Sequence, residues 1–349
     1  MARARAQRNA TITDVAREAQ VSIKTVSRVF NDEPNVRPAT RDKVRAVAKD
    51  LDYHPNAAAR SLAGRRTHLL GLAYGSVSPN YVYDIQKGAA ARLEADRYRL
   101  VVMPFVEGEE APARMRALAR TSAVDGLVLV PPLGDDAATL AAIEQSGLPY
   151  VRIAPTRGES RAPDVSMDDR AAVDDVVAHL AALGHRRIAI VRGRPNHSST
   201  AIRFAAFKES LERRNLAYRA ELSVEGDYTF ASGLEAGRQL LALAEPPSAI
   251  FASNDDMAAG VLSAAHEAGV AVPRRLSIVG FDDSTIAQVV WPRLTTIHQP
   301  TCDMAHAAVD ALLALIQGRP SPAHIVLPHR LIDRGSTAAA ADAAAEPAL

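Results

Sequence analysis

The chain reads Thr11-Ile-Thr-Asp-Val-Ala-Arg-Glu-Ala-Gln-Val-Ser-Ile-Lys-Thr-Val-Ser-Arg-Val-Phe30 close to its first residue. We predict a first helix from Thr13, as its N-cap, to Ala19, and a second helix that begins after Ser22, another good N-cap. The connection Ala19-Gln-Val21 has the length of the turn in a helix-turn-helix. The apolar residues of each pattern fall on one face, so the two helices are expected to pack together.

A third helical pattern completes a small domain. It opens at Pro38, a favoured first-turn residue, and its apolar side chains repeat at helical spacing over Val44, Val47, Ala48 and Leu51. Three short helices are therefore predicted to share one core. The Ala-rich segment from Asn56 to Ala63 then ends at Gly64 and is long enough for about two helical turns. Because so short a helix is marginal in water, we predict a hinge that orders only when something holds it.

From Leu69 onward, short apolar runs alternate with helical patterns such as Tyr81 to Ala95 and Asp256 to Ala268. The runs predicted as buried parallel strands are Leu69 to Gly75, Arg99 to Phe105, Gly126 to Pro132, Pro149 to Ala154, Arg187 to Gly193, Ala249 to Asn254 and Leu276 to Phe281. This pattern predicts an α/β, doubly wound body. Because the strands are too many for one sheet of typical size, we divide them into two subdomains with a cleft between them.

Charge is divided unevenly along the chain, although the net value is only +1. Up to Arg66 there are 14 Lys and Arg residues against 7 Asp and Glu, and beyond it 27 against 33. A basic head on an acidic body is expected when only the head contacts nucleic acid.

The remaining composition favours a cytoplasmic protein. The single cysteine, Cys302, excludes an internal disulfide framework and a multi-cysteine metal site, and it favours a reducing compartment. No apolar run follows the basic first ten residues, so no signal peptide is predicted. No stretch approaches the roughly 18 apolar residues of a membrane span, so no membrane partner is expected.

Motifs spread over nearly the whole chain resemble those of the lac repressor family. In the head they are Thr11-Ile-Thr-Asp-Val-Ala-Arg-Glu-Ala19, Val21-Ser22, Thr25-Val-Ser-Arg-Val29, Ala39-Thr-Arg41, Tyr53-His-Pro-Asn56 and Ala59-Arg-Ser-Leu-Ala-Gly64. In the body they are Val124-Asp-Gly126, Leu183-Gly-His-Arg-Arg-Ile188, Ser253-Asn-Asp-Asp-Met-Ala258, Val279-Gly-Phe-Asp-Asp283 and Leu294-Thr-Thr-Ile-His-Gln-Pro300. The resemblance implies a DNA-binding headpiece, a hinge helix and a dimeric body similar to periplasmic sugar-binding proteins.

We divide the chain accordingly. The predicted parts are a basic tail (1–10), a helix-turn-helix domain (11–55), a hinge helix (56–66), a ligand-binding and dimerisation domain of two subdomains (67–337) and a flexible tail (338–349). One position departs from the family's pattern, since Gln20 stands where glycine is frequent in the turn. The turn is therefore expected to be slightly strained or less sharply bent.

The second helix of a helix-turn-helix offers its first turns to base edges in the major groove. Ile23, Lys24, Ser27 and Arg28 occupy its outward positions. The resemblance implies that Ile23 and Lys24 choose the base sequence and that Arg28 reads a base, since a guanidinium fits the two acceptors of guanine. The alternative for Lys24 and Arg28 is an ordinary solvated helix face. The predicted DNA-binding set also includes Thr13, Ser22, Thr25, Asn31, Asn56 and Ala63.

Leu62 is an apolar residue on the short hinge segment, close to Arg60, Arg65 and Arg66. The resemblance implies that this side chain enters the minor groove between two base steps and kinks the duplex. The alternative is that Leu62 packs against the body.

A small polar ligand needs hydrogen-bonding groups that converge near strand ends. Asn254 and Asp282 follow two predicted strands, and the resemblance adds Arg203 as a forked donor and Tyr228 as an aromatic wall. We place Asp282 and Arg203 on a second subdomain beyond Pro149, and Tyr81 on the first as another wall. The alternatives are helix caps for Asn254 and Asp282 and an ordinary ion pair for Arg203.

These features predict a dimeric repressor that a sugar or similar small polar ligand releases from its operator, double-stranded DNA. A repressor activated by a corepressor is the alternative with the same fold. A sugar-binding transport component would share the body but not the head, and a carbohydrate enzyme would need a nucleophile or metal site. The motif search finds no phosphate loop, nucleophile elbow or His-Glu-x-x-His, so we predict no enzyme, no cofactor and no metal.

Overall fold

The computed structural model describes residues 10–30, 33–53, 66–106, 110–121, 123–156, 162–195 and 197–340. The chain divides after Thr67 into two compact units, called here the head and the body. The predicted hinge segment from Asn56 to Ala63, residues 1–9 of the predicted basic tail and residues 341–349 lie outside the described residues. No helix in the described ranges is long and apolar enough to cross a membrane.

The head contains the three predicted helices, α1 (Ile12–Glu18), α2 (Ile23–Phe30) and α3 (Pro38–Asp50). The prediction that Thr13 caps α1 is wrong, because Thr11 occupies the N-cap. The Asp14 N–H donates to Thr11 Oγ1 at 3.4 Å, and the Thr11 N–H donates to the Asp14 carboxylate at 3.0 Å. This reciprocal capping box needs an acidic or amide side chain three residues on, and Thr13 is followed at that distance by Ala16.

Four valines form the centre of the head, and all of them are fully buried: Val15, Val26, Val29 and Val44. Burial of each is worth about 1.5 to 3 kcal/mol, so these four side chains contribute a large part of the apolar stabilisation of so short a unit. The turn between α1 and α2 is tight, because Gln20 has a φ of +56°. A non-glycine residue in this left-handed region carries strain, which was one of the two outcomes predicted for Gln20.

The body contains two six-stranded sheets. The strands are β1 (Leu69–Tyr74), β2 (Arg99–Pro104), β3 (Gly126–Leu129), β4 (Tyr150–Ile153), β5 (Asp164–Met167), β6 (Ile188–Arg192), β7 (Ser223–Glu225), β8 (Ala249–Ala252), β9 (Ser277–Asp282), β10 (Thr295–His298), β11 (His324–Leu327) and β12 (Arg330–Ile332). Their orders are β11-β5-β4-β3-β1-β2 and β12-β10-β9-β8-β6-β7. Neighbours are parallel except β10 and β12. The seven predicted strands are confirmed.

Helices cover the sheets. They are α4 (Pro79–Leu93), α5 (Ala111–Arg120), α6 (Ala137–Ser146), α7 (Asp169–Ala182), α8 (Ser198–Arg213), α9 (Phe230–Leu241), α10 (Asp255–Glu267), α11 (Thr285–Val289) and α12 (Thr301–Ile316). Both faces of β3 are buried, since Val128 belongs to one core cluster and Leu127 and Leu129 to another. Two buried faces explain why such strands read as continuous apolar runs.

The two sheets define two subdomains, but their boundary differs from the prediction. We placed the second subdomain beyond Pro149, whereas β4 and β5 still belong to the first sheet. The chain then crosses between sheets three times, after β5, after β10 and after β11, and α12 packs with the first sheet. The prediction failed because β5, β10, β11 and β12 are short strands that carry polar residues, so they produce no apolar run.

The predicted flexible tail does not begin at residue 338. The Ala340 N–H donates to the Leu183 carbonyl at 2.8 Å, and the Ala338 carbonyl lies 3.1 Å from Nε2 of the buried His185. Residues 338–340 are therefore held by backbone hydrogen bonds, which their alanine-rich composition does not reveal. The rest of that predicted tail lies outside the described residues.

Helices α4 and α12 approach so closely that Gly88 has no room for a side chain. A Cβ there would lie 2.1 Å from the carbonyl oxygen of Cys302. We expect Gly88→Ala to lower the free energy of unfolding by about 1 to 3 kcal/mol, because the helices must separate. Helix propensity alone would favour alanine by roughly 1 kcal/mol. Urea unfolding measures the difference, Ala90→Ser on the exposed side of α4 is the control, and a more stable Gly88→Ala variant would contradict this packing.

Candidate functional site

The outward face of α2 carries the residues predicted to contact DNA. Ile23 is 49% exposed and Lys24 is exposed, whereas Val26 and Val29 on the opposite face are buried in the head. An exposed isoleucine beside an exposed lysine on the first turn of a helix offers DNA an apolar contact and a charged hydrogen-bond donor. The structure thus leaves the start of α2 accessible at both predicted specificity positions.

The N-terminus of α2 is fixed by two other residues of the predicted set. The Thr25 N–H donates to Ser22 Oγ at 3.1 Å, and the two hydroxyl oxygens lie 2.9 Å apart. Ser22 therefore caps the helix as predicted, and its hydroxyl is already engaged in the protein. Thr13 is exposed on α1 and Ser27 is half-buried on α2. Four further predicted contacts lie outside the described residues: Asn31, Asn56, Leu62 and Ala63.

Arg28 has a partner that the sequence analysis did not identify. Its Nε lies 3.3 Å from the carboxylate of Glu33, and both side chains are more than a third exposed. Arg41 donates to the Glu33 carbonyl at 2.8 Å, which fixes the backbone of that acid. The Glu33 carboxylate thus holds the guanidinium at the end of α2, at little energetic cost to break because exposed ion pairs are weak.

All five predicted ligand residues line one cleft of the body. Asp282 ends β9, Asn254 follows β8, and Arg203 and Tyr228 lie nearby on the second subdomain, while Tyr81 on α4 comes from the first. The cleft therefore lies at the carboxyl ends of parallel strands, where ligands of α/β sheets bind. Further lining residues that the sequence analysis missed include Ser78, Asp135, Thr156, Asp169, His197, Ser199 and Gln299.

Arg203 is the buried cation of this cleft, and only 6% of it is exposed. Its Nε donates to the Asp169 carboxylate at 2.7 Å and its Nη1 to the Ser253 carbonyl at 2.7 Å. The guanidinium carbon lies 3.6 Å from the ring centre of Phe281. Burial opposes the charge, but the carboxylates of Asp169 and Asp282 outweigh it and raise the pKa of Arg203. The guanidinium is therefore a fixed, charged donor whose other N–H groups are left for a ligand.

Asp282 points its carboxylate into the cleft from a left-handed backbone, with a φ of +110°. Burial raises the pKa of this carboxyl well above its ordinary value, Arg203 opposes the shift, and the charges of Asp255, Asp256 and Asp169 add to it. Among the described residues the Asp282 carboxyl group makes no hydrogen bond and no ion pair. It does not cap α11, because that N-cap is Ser284.

Asn254 and Tyr228 are connected to each other. Asn254 caps α10 by accepting from the Met257 N–H at 3.0 Å, and its Nδ2 donates to the Tyr228 carbonyl at 3.0 Å. The capping alternative for Asn254 is thus present together with its place in the cleft. The Tyr228 hydroxyl lies 2.8 Å from Thr200 Oγ1. Gly193 is required beneath the ring, since a Cβ there would lie 2.0 Å from it.

Gln299 and His197 complete the polar lining. Gln299 lies where the chain crosses from β10 to α12, it is 4% exposed, and its Oε1 has no hydrogen-bond partner among the described residues. Burial and the charge of Arg194 lower the pKa of His197, which keeps its ring neutral at pH 7. Burial and the Asp282 charge raise the pKa of Tyr81, so its hydroxyl stays protonated. Asp169 and Gln299 were missed because they follow β5 and β10, two strands that the sequence pattern did not reveal.

A carboxylate bridges the two subdomains beside the cleft. Ser78 Oγ donates to Asp256 Oδ2 at 2.7 Å and Asn80 Nδ2 donates to Asp256 Oδ1 at 3.2 Å. Ser78 and Asn80 lie at the start of α4 in the first subdomain, and Asp256 lies in the first turn of α10 in the second. We call this contact the Asp256 bridge. It links the positive ends of two helices through one acid, which favours a closed cleft.

We expect Asp256→Ala to open the cleft more often, because both cross-subdomain hydrogen bonds are lost. Hydrogen exchange of the backbone amides at residues 80–82 should become severalfold faster. Asp303→Ala is the matched control, since Asp303 is an exposed acid in the first turn of another helix. Equal exchange in the Asp256 variant and the wild-type protein would contradict a role of the bridge in closure.

Comparisons with known proteins agree with this architecture. Residues 11–56 match the model for bacterial regulatory proteins of the lacI family, and residues 177–337 match the periplasmic binding protein-like domain. Catabolite control protein A of Priestia megaterium is 34% identical over 331 residues, which are 94% of this chain and 99% of that protein. Among the described residues no cluster of His, Cys, Asp and Glu could hold a metal ion.

Solved structures also resemble nearly the whole chain, among them two with bound molecules. The crystal structure of the lac repressor dimer bound to operator and the anti-inducer ONPF has a TM-score of 0.81 and 31% identity, over 95% of this chain and 100% of that one. The complex of the transcriptional regulator CelR with cellobiose has a TM-score of 0.72 and 30% identity, over 94% and 99%. With its head, its two-sheet body and these relatives, the chain belongs to the lacI family of bacterial regulatory proteins and is a DNA-binding transcriptional regulator.

Proposed function

We propose that this regulator is a homodimeric repressor that binds a palindromic operator through its heads and leaves it when a sugar occupies the cleft. The observation that carries the proposal is the cleft itself, in which a buried arginine, a carboxylate and two tyrosines converge at the strand ends. A sugar hydroxyl loses water on entering such a site and needs a replacement partner. The related regulators bound to operator and to cellobiose support the same pairing of functions.

In this proposal the start of α2 enters the major groove. Ile23 and Lys24 select the bases they face, and Arg28 donates to the two acceptors of a guanine. Glu33 then acts as a competitor for Arg28, because the guanidinium must leave the carboxylate to reach a base edge. Leu62 of the hinge segment acts as the minor-groove wedge. Two heads related by a two-fold axis read two half-sites, so the operator is a palindrome.

The ligand roles follow from the geometry of the cleft. Arg203 and Asn254 donate to ligand oxygens, Asp282 accepts from ligand hydroxyls, and the rings of Tyr81 and Tyr228 form the walls. Because Tyr81 and Asp282 belong to different subdomains, a ligand that contacts both favours closure. In this proposal the protein binds the sugar without converting it, and it acts in the cytoplasm.

The corepressor alternative keeps every one of these contacts and reverses only the sign of the coupling. We propose release by sugar; either sign requires that the ligand has different affinities for the operator-bound and the free state. Anisotropy of a labelled operator, selected from random DNA and titrated with a panel of mono- and disaccharides, tests the proposal. Falling operator affinity supports induction, rising affinity supports the corepressor, and the lack of any palindromic site would refute the proposal.

Arg28→Ala should cost about 1 to 3 kcal/mol of operator binding and relax the base choice at one position of each half-site. Arg17→Ala is the control, because Arg17 is an exposed arginine on α1 that pairs with Asp14. Its loss should leave the preferred sequence unchanged. Sequencing of selected DNA gives the binding-site profile, and an unchanged profile for Arg28→Ala would mean that Arg28 reads no base.

Glu33→Gln should have the opposite effect on affinity. The substitution removes a competitor of the guanidinium and one negative charge close to phosphate, so operator affinity should rise severalfold. The rise should vanish in the Arg28→Ala background if it acts through Arg28, which a double-mutant cycle measures. An equal rise in both backgrounds would assign the effect to charge alone.

Asp282→Ala should abolish the response to sugar while operator affinity stays within about twofold of wild type, because Asp282 lines the cleft of the body and the proposed DNA contacts belong to the head and the hinge segment. Anisotropy of the operator with and without sugar measures both properties in one titration. Loss of operator binding together with the sugar response would show that Asp282 maintains the fold instead of binding the ligand.

A further inference from the structure

The buried cation of the cleft is neutralised by the protein before any ligand arrives. Arg203 donates through Nε to Asp169 at 2.7 Å, and this carboxylate is itself largely buried. The Ser253 carbonyl takes a second N–H, and the Phe281 ring covers one face of the guanidinium. Arg203 therefore offers hydrogen-bond donors to a ligand but no uncompensated positive charge.

The remaining charged side chains of the described lining are carboxylates. Asp282 faces the cavity and Asp135 lies at its edge, where the N–H and hydroxyl of Thr156 hold its carboxylate at 2.9 and 2.8 Å. Asp255 and Asp256 lie behind Asp282, close enough for their charges to act on it. Apart from Arg203, the described lining residues include no arginine or lysine.

The histidine of the cleft does not change this balance. His197 is 6% exposed, and its ring packs 5.4 Å from that of Tyr228. Arg194, behind it, belongs to an ion pair with Asp227 and does not line the cleft. Among the described lining residues, an anion that entered the cleft would therefore exchange water for carboxyl groups, with no free cation to compensate.

We propose that the cleft selects an uncharged polyhydroxy ligand and rejects anionic ligands of the same shape, such as sugar acids and sugar phosphates. Asp282 is the residue that makes this choice, because its carboxyl group pairs with a ligand hydroxyl, whereas a ligand carboxylate or phosphate beside it meets no compensating cation among the described lining residues. The inference depends on the proposed function, since it names the ligand class of the same cleft.

Calorimetric titration of the full chain with matched sugars tests the inference. The pairs are D-glucose with D-glucuronate and D-glucose 6-phosphate, D-galactose with D-galacturonate, and D-ribose with D-ribose 5-phosphate, together with cellobiose as an uncharged disaccharide. The strongest ligand should be uncharged and should bind at least tenfold more tightly than its anionic counterpart. An acid or phosphate that binds as tightly as its uncharged counterpart would overturn the inference but leave sugar sensing intact. No binding by any sugar, with operator binding preserved, would refute both.

Asp282→Asn separates charge from shape, because the amide keeps the size and one acceptor oxygen. The affinity for the uncharged ligand should fall, and its preference over the anionic counterpart should shrink at least threefold. Asp283→Asn is the matched control, since Asp283 is the next residue, lies outside the cleft lining and pairs with His298 and Arg334. If Asp282→Asn weakened both ligands equally, or if Asp283→Asn changed the preference as much, the role assigned to Asp282 would be wrong.

Discussion

The contact between Arg203 and Asp169 is the interaction on which the cleft depends. It joins α8 to the start of α7, at the point where the chain has just crossed from the first sheet to the second. The same guanidinium reaches the end of β8 through Ser253 and lies on Phe281 of β9. One side chain thus fixes three parts of the second subdomain relative to the crossing segment. A buried arginine without these partners would be strongly destabilising, so the ligand site and the partners of Arg203 form together on folding.

The topology of the body places cleft residues on the segments that connect the two sheets. Three crossings connect the sheets, and two of them carry cleft residues, Asp169 after β5 and Gln299 after β10. Crossing segments are where hinge closure changes the backbone, so a ligand held by these residues acts directly on the hinge. The Asp256 bridge lies across the same cleft and adds a contact between subdomains that needs no ligand. Ligand and bridge therefore favour the same closed arrangement.

The sequence predicted much of this arrangement and failed in places that have physical reasons. Asn254 and Asp282 follow apolar runs, so strand ends located them correctly, and all five predicted ligand residues lie in one cleft. Asp169 and Gln299 were missed because β5 and β10 carry polar residues and give no apolar run. Glu33 was missed because its partner Arg28 is five residues away on a helix that ends between them. The roles of Leu62 and the hinge segment remain proposals that the described residues do not address.

The central claim is that the cleft and the head of this regulator are thermodynamically coupled. Linkage requires operator DNA to change the affinity for sugar by the same factor by which sugar changes the affinity for operator, typically about 5- to 150-fold. Titration of an identified sugar into the full chain, with and without saturating operator, measures that factor directly. The account predicts weaker sugar binding in the operator complex, by the factor found for operator release. Equal sugar affinities in the two titrations would contradict it.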